Sequence, residues 1–300
     1  MCNAFSRTLG TTFIVLWLSA AAFAETAGVP AYVLKLPDTV QDVFVADTGA
    51  STMYRFERVG DALVQAGEDY ISIGQKGVGK ERAWDRRTPL GIYFVVDQLD
   101  TERMHDKYGI TAFPLDYPNE WDRLNRRTGD GIWVHGVLPG GERRPPFDTD
   151  GCIALPNEDL ARLEERFVPL VTPVIVTRAV EWADPEQVGR LRDGLLAALE
   201  NWSGSVQSGD LHAYLSMYAN DFSYRGMTLG NWAALRFRNF EERGPVDIVL
   251  SDILIMADPE EQGLYLSRFR QSLGGRETTK RLYWRQDMTG DWKIVAEDSG

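Results

Sequence analysis

The residues in this sequence best suited to catalysis are one histidine and one cysteine. His135 and Cys152 lie seventeen residues apart, and each stands at the end of a short strand-like run beside a glycine. A thiol is mostly protonated at neutral pH, but a nearby imidazole can take its proton and leave a nucleophilic thiolate. Two adjacent strands of one sheet would present both side chains at its rim. The pattern therefore predicts acyl transfer by Cys152, with His135 as the general base.

Other kinds of site have less support. The chain has three histidines, no H-E-x-x-H motif and no cysteine pair, so we expect no metal and no cofactor. A G-x-S-x-G nucleophile elbow is also missing. We interpret His105 and His212 as surface or core residues. A buried and inert Cys152 stays open as the alternative, because free cysteine often packs as a small apolar residue.

The elements around the pair are predicted to be mostly strands. Residues 42–46, 53–57 and 91–96 are short β-branched or aromatic runs bounded by Gly, Asp and Pro. Residues 97–130 are polar and irregular, which indicates a long loop over one face of the sheet. A helix follows Cys152, and Asn157 is expected to cap its start.

The C-terminal part of the chain shows a different order of elements. Apolar residues recur every three or four positions from Val188 to Val206, which predicts a long amphipathic helix. Two shorter helical pieces follow. Four strand-like segments then complete the chain, at residues 247–256, 263–273, 278–286 and 291–297. Helices followed by consecutive strands indicate an α+β domain with an antiparallel sheet.

The N-terminus predicts export. Residues 1–24 combine one basic residue, a short apolar core and an A-x-A site, as a secretory signal peptide does. The apolar run falls short of the roughly 20 residues that a membrane span needs, which disfavours the alternative of a membrane anchor. Cleavage removes Cys2 and leaves Cys152 as the one thiol, so no internal disulfide is expected. A net charge of −12 argues against nucleic-acid binding.

The segments around the pair resemble the signature of the L,D-transpeptidase (YkuD) catalytic domain. That signature is a His-Gly, a loop, and then Ser/Thr-x-Gly-Cys-Ile/Val-x-Leu/Met. His135-Gly136 and the segment 149–155, Thr-Asp-Gly-Cys-Ile-Ala-Leu, are similar to it, and residues 87–93 resemble the family's TPxG strand. The resemblance implies a mostly β catalytic domain, a β-sandwich with a few helices, over residues 31–182.

The same resemblance implies the residues of the site. Cys152 and His135 are the expected catalytic residues. The expected oxyanion or substrate-binding residues are Gly151, Gly136 and Thr149. We expect the backbone N–H groups of Gly151 and Cys152 to face the developing oxyanion. Thr149 stands where the family usually has Ser, and Ala154 stands where it usually has Arg or Asn, which removes a polar group beside the nucleophile. Arg86, Arg87, Arg143 and Arg144 are interpreted as solvated rather than as substrate ligands.

Residues 186–300 resemble an NTF2-like domain, which implies an α+β fold with helices on a curved antiparallel sheet. Aromatic motifs at 199–202, 214–218, 280–284 and 292–297 carry this resemblance. The aromatic core is expected to include Trp202, Trp232, Trp284 and Trp292. A protein partner bound through this domain is a further expectation. The pairing of the two domains is similar to that of cell-shape-determining L,D-carboxypeptidases of helical bacteria.

The resemblance implies peptidoglycan stem peptides as the substrate and the periplasm as the location. The leading expectation is an exported L,D-transpeptidase that forms 3–3 crosslinks through an acyl-enzyme on Cys152. The alternative is an L,D-carboxypeptidase that trims tetrapeptide to tripeptide to control cell shape. An inactive module that binds the cell wall is the third reading, and the presence of both His135 and Cys152 argues against it.

Overall fold

The computed structural model describes residues 29–60, 62–141 and 143–299. The predicted signal peptide, residues 1–24, lies outside these ranges. Among the described residues, no helix combines the length and the apolar character that crossing a bilayer requires.

The first part of the chain consists mainly of short strands, as the sequence predicts. Its strands are β1 (Val29–Pro30), β2 (Val33–Lys35), β3 (Asp42–Asp47), β4 (Thr52–Val59), β5 (Ala62–Tyr70), β6 (Ile73–Gly74), β7 (Gly91–Phe94), β8 (Ala112–Pro114), β9 (Trp133–His135), β10 (Phe147–Thr149), β11 (Ile153–Ala154), β12 (Pro173–Thr177) and β13 (Trp182–Ala183). Its helices are α1 (Glu120–Leu124) and α2 (Asn157–Leu163), with single 3-10 turns at Asp106–Tyr108 and Glu164–Arg166.

Two sheets form the catalytic half of the molecule. The larger has the order β5-β4-β3-β12-β7, and the smaller has the order β11-β9-β8. Every residue of β3 is buried, because side chains alternate between the two faces and both faces are covered. Phe44 and Ala46 pack into a core that also holds Val134 and Ile153 of the smaller sheet. The site therefore lies on strands that are anchored in this core.

The second part of the chain is an α+β unit, which confirms the predicted fold class. Its helices are α3 (Pro185–Ser208), α4 (Leu211–Ser216) and α5 (Leu229–Arg243). Its strands are β14 (Tyr218–Tyr224), β15 (Met227–Thr228), β16 (Ile248–Ala257), β17 (Tyr265–Leu273), β18 (Arg276–Gln286) and β19 (Trp292–Asp298). Asp184 caps α3 by accepting the Glu186 N–H at 3.0 Å, and Gly209 ends it with φ +73°. Trp202, Trp232 and Trp284 are fully buried in the core, as expected, whereas Trp292 is only partly buried against it.

The two parts share strands and a core. β2, which the sequence assigns to the first domain, pairs with β16 and forms one edge of a seven-stranded sheet of order β15-β14-β19-β18-β17-β16-β2. Val43 and Val45 on the second face of β3 pack in one cluster with Met256 and Leu266. The second unit thus covers the back of the catalytic sheet, and the site lies on the opposite side.

The segment 97–130 is more regular than the sequence suggests. It contains β8, which pairs antiparallel with β9, and the helix α1, whose start is held by a reciprocal capping box between Asn119 and Asp122. The sequence did not indicate β8, because a strand of only three residues gives little signal within a polar segment. This strand matters because it supports the strand that ends at His135.

Candidate active site

Strand register brings His135 and Cys152 together. β9 and β11 run parallel, with Val134 opposite Ile153 and His135 opposite Ala154. Because Ile153 points into the core, its neighbours Cys152 and Ala154 face the other side, beside His135. Both catalytic candidates line one cavity of about 500 Å³. Cys152 is half-buried there, so the sulfur is within reach of a ligand rather than sealed in the core.

The imidazole of His135 is held in one orientation. Its Nδ1 lies 2.6 Å from the carbonyl oxygen of Gly136, and since a carbonyl only accepts, Nδ1 carries the proton. The edge of the ring packs against Tyr108, with centroids 5.3 Å apart. In this neutral tautomer the lone pair on Nε2 is free to accept a proton. The geometry fits a general base.

Burial keeps this base neutral. Burial lowers the pKa of His135 to about 4, the hydrogen bond to Gly136 opposes the shift, and the cations of Arg144 and Lys107 add to it. Ala154 places a methyl group next to the ring, where the family usually has a polar side chain. The imidazole is therefore unprotonated, and able to take a proton, down to low pH.

The Cys152 thiol is also neutral at rest. Its Sγ donates to the carbonyl of Gly131 at 3.3 Å. Burial raises the pKa of Cys152, against the opposing effect of the Trp133 backbone N–H and of the Lys107 cation. The proton therefore leaves during attack, when His135 can receive it. This arrangement differs from a thiolate–imidazolium pair already formed before substrate arrives.

The Gly151 N–H, predicted to face the oxyanion, has a hydrogen-bond partner within the turn. This N–H donates to the Thr149 hydroxyl at 3.1 Å, and the same hydroxyl donates to the carbonyl of Cys152 at 2.7 Å. Thr149 therefore braces the turn that presents Cys152, and its predicted contact with a substrate stays a prediction. Of the two N–H groups predicted to face the oxyanion, that of Cys152 remains. Glycine is required at 151 because φ is +126° and a Cβ would lie 2.7 Å from the Arg87 carbonyl oxygen.

Gly136 and Asn157 act on the base rather than on a substrate. A side chain on Gly136 would collide with the Oδ1 of Asn157, and the Gly136 carbonyl is the acceptor that orients His135. Asn157 was predicted to cap α2, but its side chain makes no capping hydrogen bond. Instead its Oδ1 accepts the Val137 N–H and its Nδ2 donates to the Val137 carbonyl, each at 2.9 Å. This clamp fixes the chain that follows the catalytic histidine.

Sequence reasoning missed the role of Arg144. Its guanidinium donates to the carbonyl of Asp148 at 2.9 Å and to that of Lys107 at 3.1 Å, which joins two loops at the cavity. Asp150 lies between two cations at the mouth, 3.8 Å from Lys107 Nζ and 3.9 Å from Arg86 Nε. Loop–loop contacts of this kind leave no local pattern in a sequence.

The other histidines stand apart from this centre. His105 is exposed, and its Nδ1 accepts the Lys107 N–H at the start of a 3-10 turn. His212 is exposed on α4. Among the residues that the structure describes, no three His, Cys, Asp or Glu side chains come close enough together to hold a metal ion.

The structure brings a neutral thiol, a neutral imidazole with a free nitrogen and a braced turn to one cavity on a β fold, an arrangement that fits acyl transfer by a cysteine. Residues 41–176 match the family model of the YkuD L,D-transpeptidase catalytic domain, and residues 194–298 match that of the Cds6 C-terminal NTF2-like domain. The chain therefore contains an L,D-transpeptidase catalytic domain followed by an NTF2-like domain, which confirms the family prediction. This family implies a cysteine-based enzyme that modifies peptidoglycan.

Solved structures share both domains. The helical cell shape determining protein Pgp2 from Campylobacter jejuni is 25% identical, with a TM-score of 0.75 over 91% of this chain and 94% of that chain. Bd1075 from Bdellovibrio bacteriovorus is 23% identical, with a TM-score of 0.73 over 91% of this chain and 98% of that chain, and shows the same fold. A comparison with curated proteins gave no match.

Proposed function

We propose that this protein is an L,D-carboxypeptidase that removes the terminal D-Ala from peptidoglycan stem tetrapeptides. The observation that carries the acyl-transfer part is the parallel register of β9 and β11, which places His135 and Cys152 at one cavity. Likeness to a helical cell shape determining protein over nearly the full length of both chains supports a role in cell shape.

In the first half of the reaction, the Cys152 sulfur attacks the carbonyl between the third residue and D-Ala. The thiol proton passes to Nε2 of His135, and the Cys152 N–H is placed to donate to the developing oxyanion. The C–N bond then breaks, and the imidazolium returns its proton to the leaving amine. The products are free D-Ala and a thioester on Cys152.

In the second half, water attacks the thioester while His135 takes a proton from it. The C–S bond breaks, the thiol is restored, and a tripeptide carboxylate leaves. Ala154 supports water as the acceptor, because a methyl group beside His135 offers no charge or hydrogen bond to hold a second stem peptide. The chain thus has no polar side chain at position 154, directly opposite His135 in the strand pairing.

Transpeptidation is the second candidate, favoured by the match to the L,D-transpeptidase family model. It proceeds through the same thioester, with a diaminopimelate amine in place of water. The product is then a 3–3 crosslinked dimer. The two activities therefore differ only in the second half of the reaction.

Incubation of the purified protein with disaccharide tetrapeptide tests both. We expect disaccharide tripeptide and free D-Ala by mass spectrometry, with no dimer, and no product with Cys152→Ala. Dimers as the main product would replace the carboxypeptidase with the transpeptidase. An intact protein mass that a carbapenem leaves unchanged, together with no turnover, would favour a wall-binding module without activity.

We also propose that residues 1–24 direct export to the periplasm, where the wall substrate lies. Cleavage after Ala24, read from the N-terminal sequence of the protein recovered from the periplasm, supports this location. Recovery of the chain with residues 1–24 intact in the cytosol would contradict it. The protein partner expected at the NTF2-like domain stays a prediction.

A further inference from the structure

The loop from Lys80 to Arg87 carries an unusually open indole beside the catalytic cavity. Trp84 is 94% exposed and yet lines the same cavity as His135 and Cys152. Its backbone has φ +65°, a conformation that a bulky side chain adopts at a cost. Exposing a large apolar ring to water on a strained backbone costs free energy, which suggests that the ring has a function.

The loop is built to hold this conformation. The Asp85 carboxylate accepts the N–H groups of Glu81, Arg82 and Arg87 at 2.9 to 3.0 Å. It also pairs with the buried Lys80 ammonium at 2.7 Å. One carboxylate therefore ties together the chain on both sides of Trp84. The exposed ring stands on a fixed support rather than on a loose loop.

Contacts link this support to the nucleophile. The Ala83 N–H donates to the Thr128 hydroxyl at 3.3 Å, and the Thr128 N–H donates to the Glu81 carbonyl at 2.9 Å. Three residues further along, the Gly131 carbonyl accepts from the Cys152 sulfur. The indole is thus placed at the rim of the cavity, at a defined position with respect to the reacting sulfur.

We propose that Trp84 is a stacking platform for a sugar ring of the glycan strand to which the stem peptide is attached. This inference rests on the proposed function for the position of the scissile bond. The carbonyl that Cys152 attacks belongs to the third residue, and three extended residues reach about 10 Å back to the sugar. Cys152 and Trp84 line the same cavity of about 500 Å³, so a tetrapeptide bound in it at Cys152 brings the sugar toward the residues of its rim.

The chemistry of the rim fits a pyranose. One face of such a ring presents C–H groups, which pack on the face of an indole. Its hydroxyl groups need hydrogen-bond partners at the edge, and Gln75 and Asp130 line the same cavity. The Gln75 Oε1 accepts from Arg86 at 3.0 Å, which leaves its Nε2 as a donor for a sugar hydroxyl, and the Asp130 carboxylate can accept from another.

Two substrates separate this role from others: the disaccharide tetrapeptide and the free tetrapeptide without sugars. Trp84→Ala is expected to lower kcat/KM for the disaccharide tetrapeptide about tenfold, mainly by raising KM. For the free tetrapeptide, kcat/KM should change by less than twofold. Trp84→Phe keeps a ring and should recover most of the loss. Phe237→Ala removes a 49% exposed ring from α5, which does not line this cavity, and serves as the control. Equal losses on both substrates, or no loss on either, would overturn the proposal.

Binding provides a readout that does not require turnover. The disaccharide alone, titrated into the Cys152→Ala protein, should shift the indole N–H signal of Trp84 in an NMR spectrum. The same titration of the Cys152→Ala, Trp84→Ala protein should show much weaker binding. Sugar binding that survives this change would refute the platform even if the enzyme proves to be a carboxypeptidase. Conversely, sugar binding that depends on Trp84 would support it even if no peptide is cleaved.

Discussion

Acidification is the most direct test of how His135 works. Burial lowers its pKa from 6.5 to about 4. At about 1.4 kcal/mol per pKa unit, the protonated ring is disfavoured in the folded protein by about 3 kcal/mol. A general base has to be neutral, so the rate at which a carbapenem acylates Cys152 should hold steady as the pH falls from 7 to about 5. The rate should drop only as the pH approaches 4.

The same shift affects stability, and its sign follows from proton counting. Below pH 6.5 the unfolded chain binds a proton at this histidine that the folded protein does not bind. The contribution of neutral His135 is therefore complete above pH 6.5 and is lost as the pH falls toward 4, by about 3 kcal/mol in total. His135→Asn does not titrate and keeps a donor for the Gly136 carbonyl. The unfolding free energy of this variant should depend less on pH across that window.

NMR titration of histidine-labelled protein measures this pKa directly, with the His135 signal assigned by its absence in the Asn variant. Intact-mass kinetics of acylation between pH 3.5 and 8 measures the acid limb independently. An inflection for His135 near pH 6.5 in either experiment would refute the argument from burial. Identical pH dependence of unfolding in the wild type and in His135→Asn would do the same.

Further substitutions test the supports of the site and of the fold. Thr149→Val removes the hydroxyl that braces Gly151 and Cys152, so the rate of Cys152 acylation should fall about tenfold or more. Thr149→Ser keeps the hydroxyl, and its acylation rate should stay within about threefold of the wild type. Both rates are measured from the mass shift that a carbapenem produces. Asn157→Ala leaves the Val137 backbone without partners and should lower the unfolding free energy by about 1–3 kcal/mol in urea, with slower acylation. Arg281→Met breaks the 2.6 Å pair with Asp116 between the two parts of the chain. It should cost about 3 kcal/mol by the same method, and adding Asp116→Leu should restore part of that loss.

The sequence predicted those features that depend on local patterns. The long helix α3 follows from the apolar spacing between Val188 and Val206. The meeting of His135 and Cys152 follows from two strand-like runs that each end at a reactive side chain. Periodicity and end signals are properties of a few neighbouring residues, so one chain is enough to show them.

Features that depend on distant partners were not predictable in this way. Asparagine is a common helix cap, but both the oxygen and the nitrogen of the Asn157 amide form hydrogen bonds with the backbone of Val137, twenty positions away. The sequence analysis also did not identify β5, because this edge strand is largely exposed on both faces and its sequence, ALVQAGEDY, shows no regular alternation of apolar and polar residues.

The pairing of β2 with β16 has a consequence for how this chain folds. An edge strand near the start of the polypeptide adds to a sheet whose other members come from residues 218–298. It therefore cannot reach its final place until the ribosome has made almost the whole protein. Contacts so distant in sequence are slow to form, because a long loop must close first. The first strands of the catalytic half are therefore among the last to find their place. A polypeptide that stops near residue 180 would lack β16, the strand with which β2 pairs.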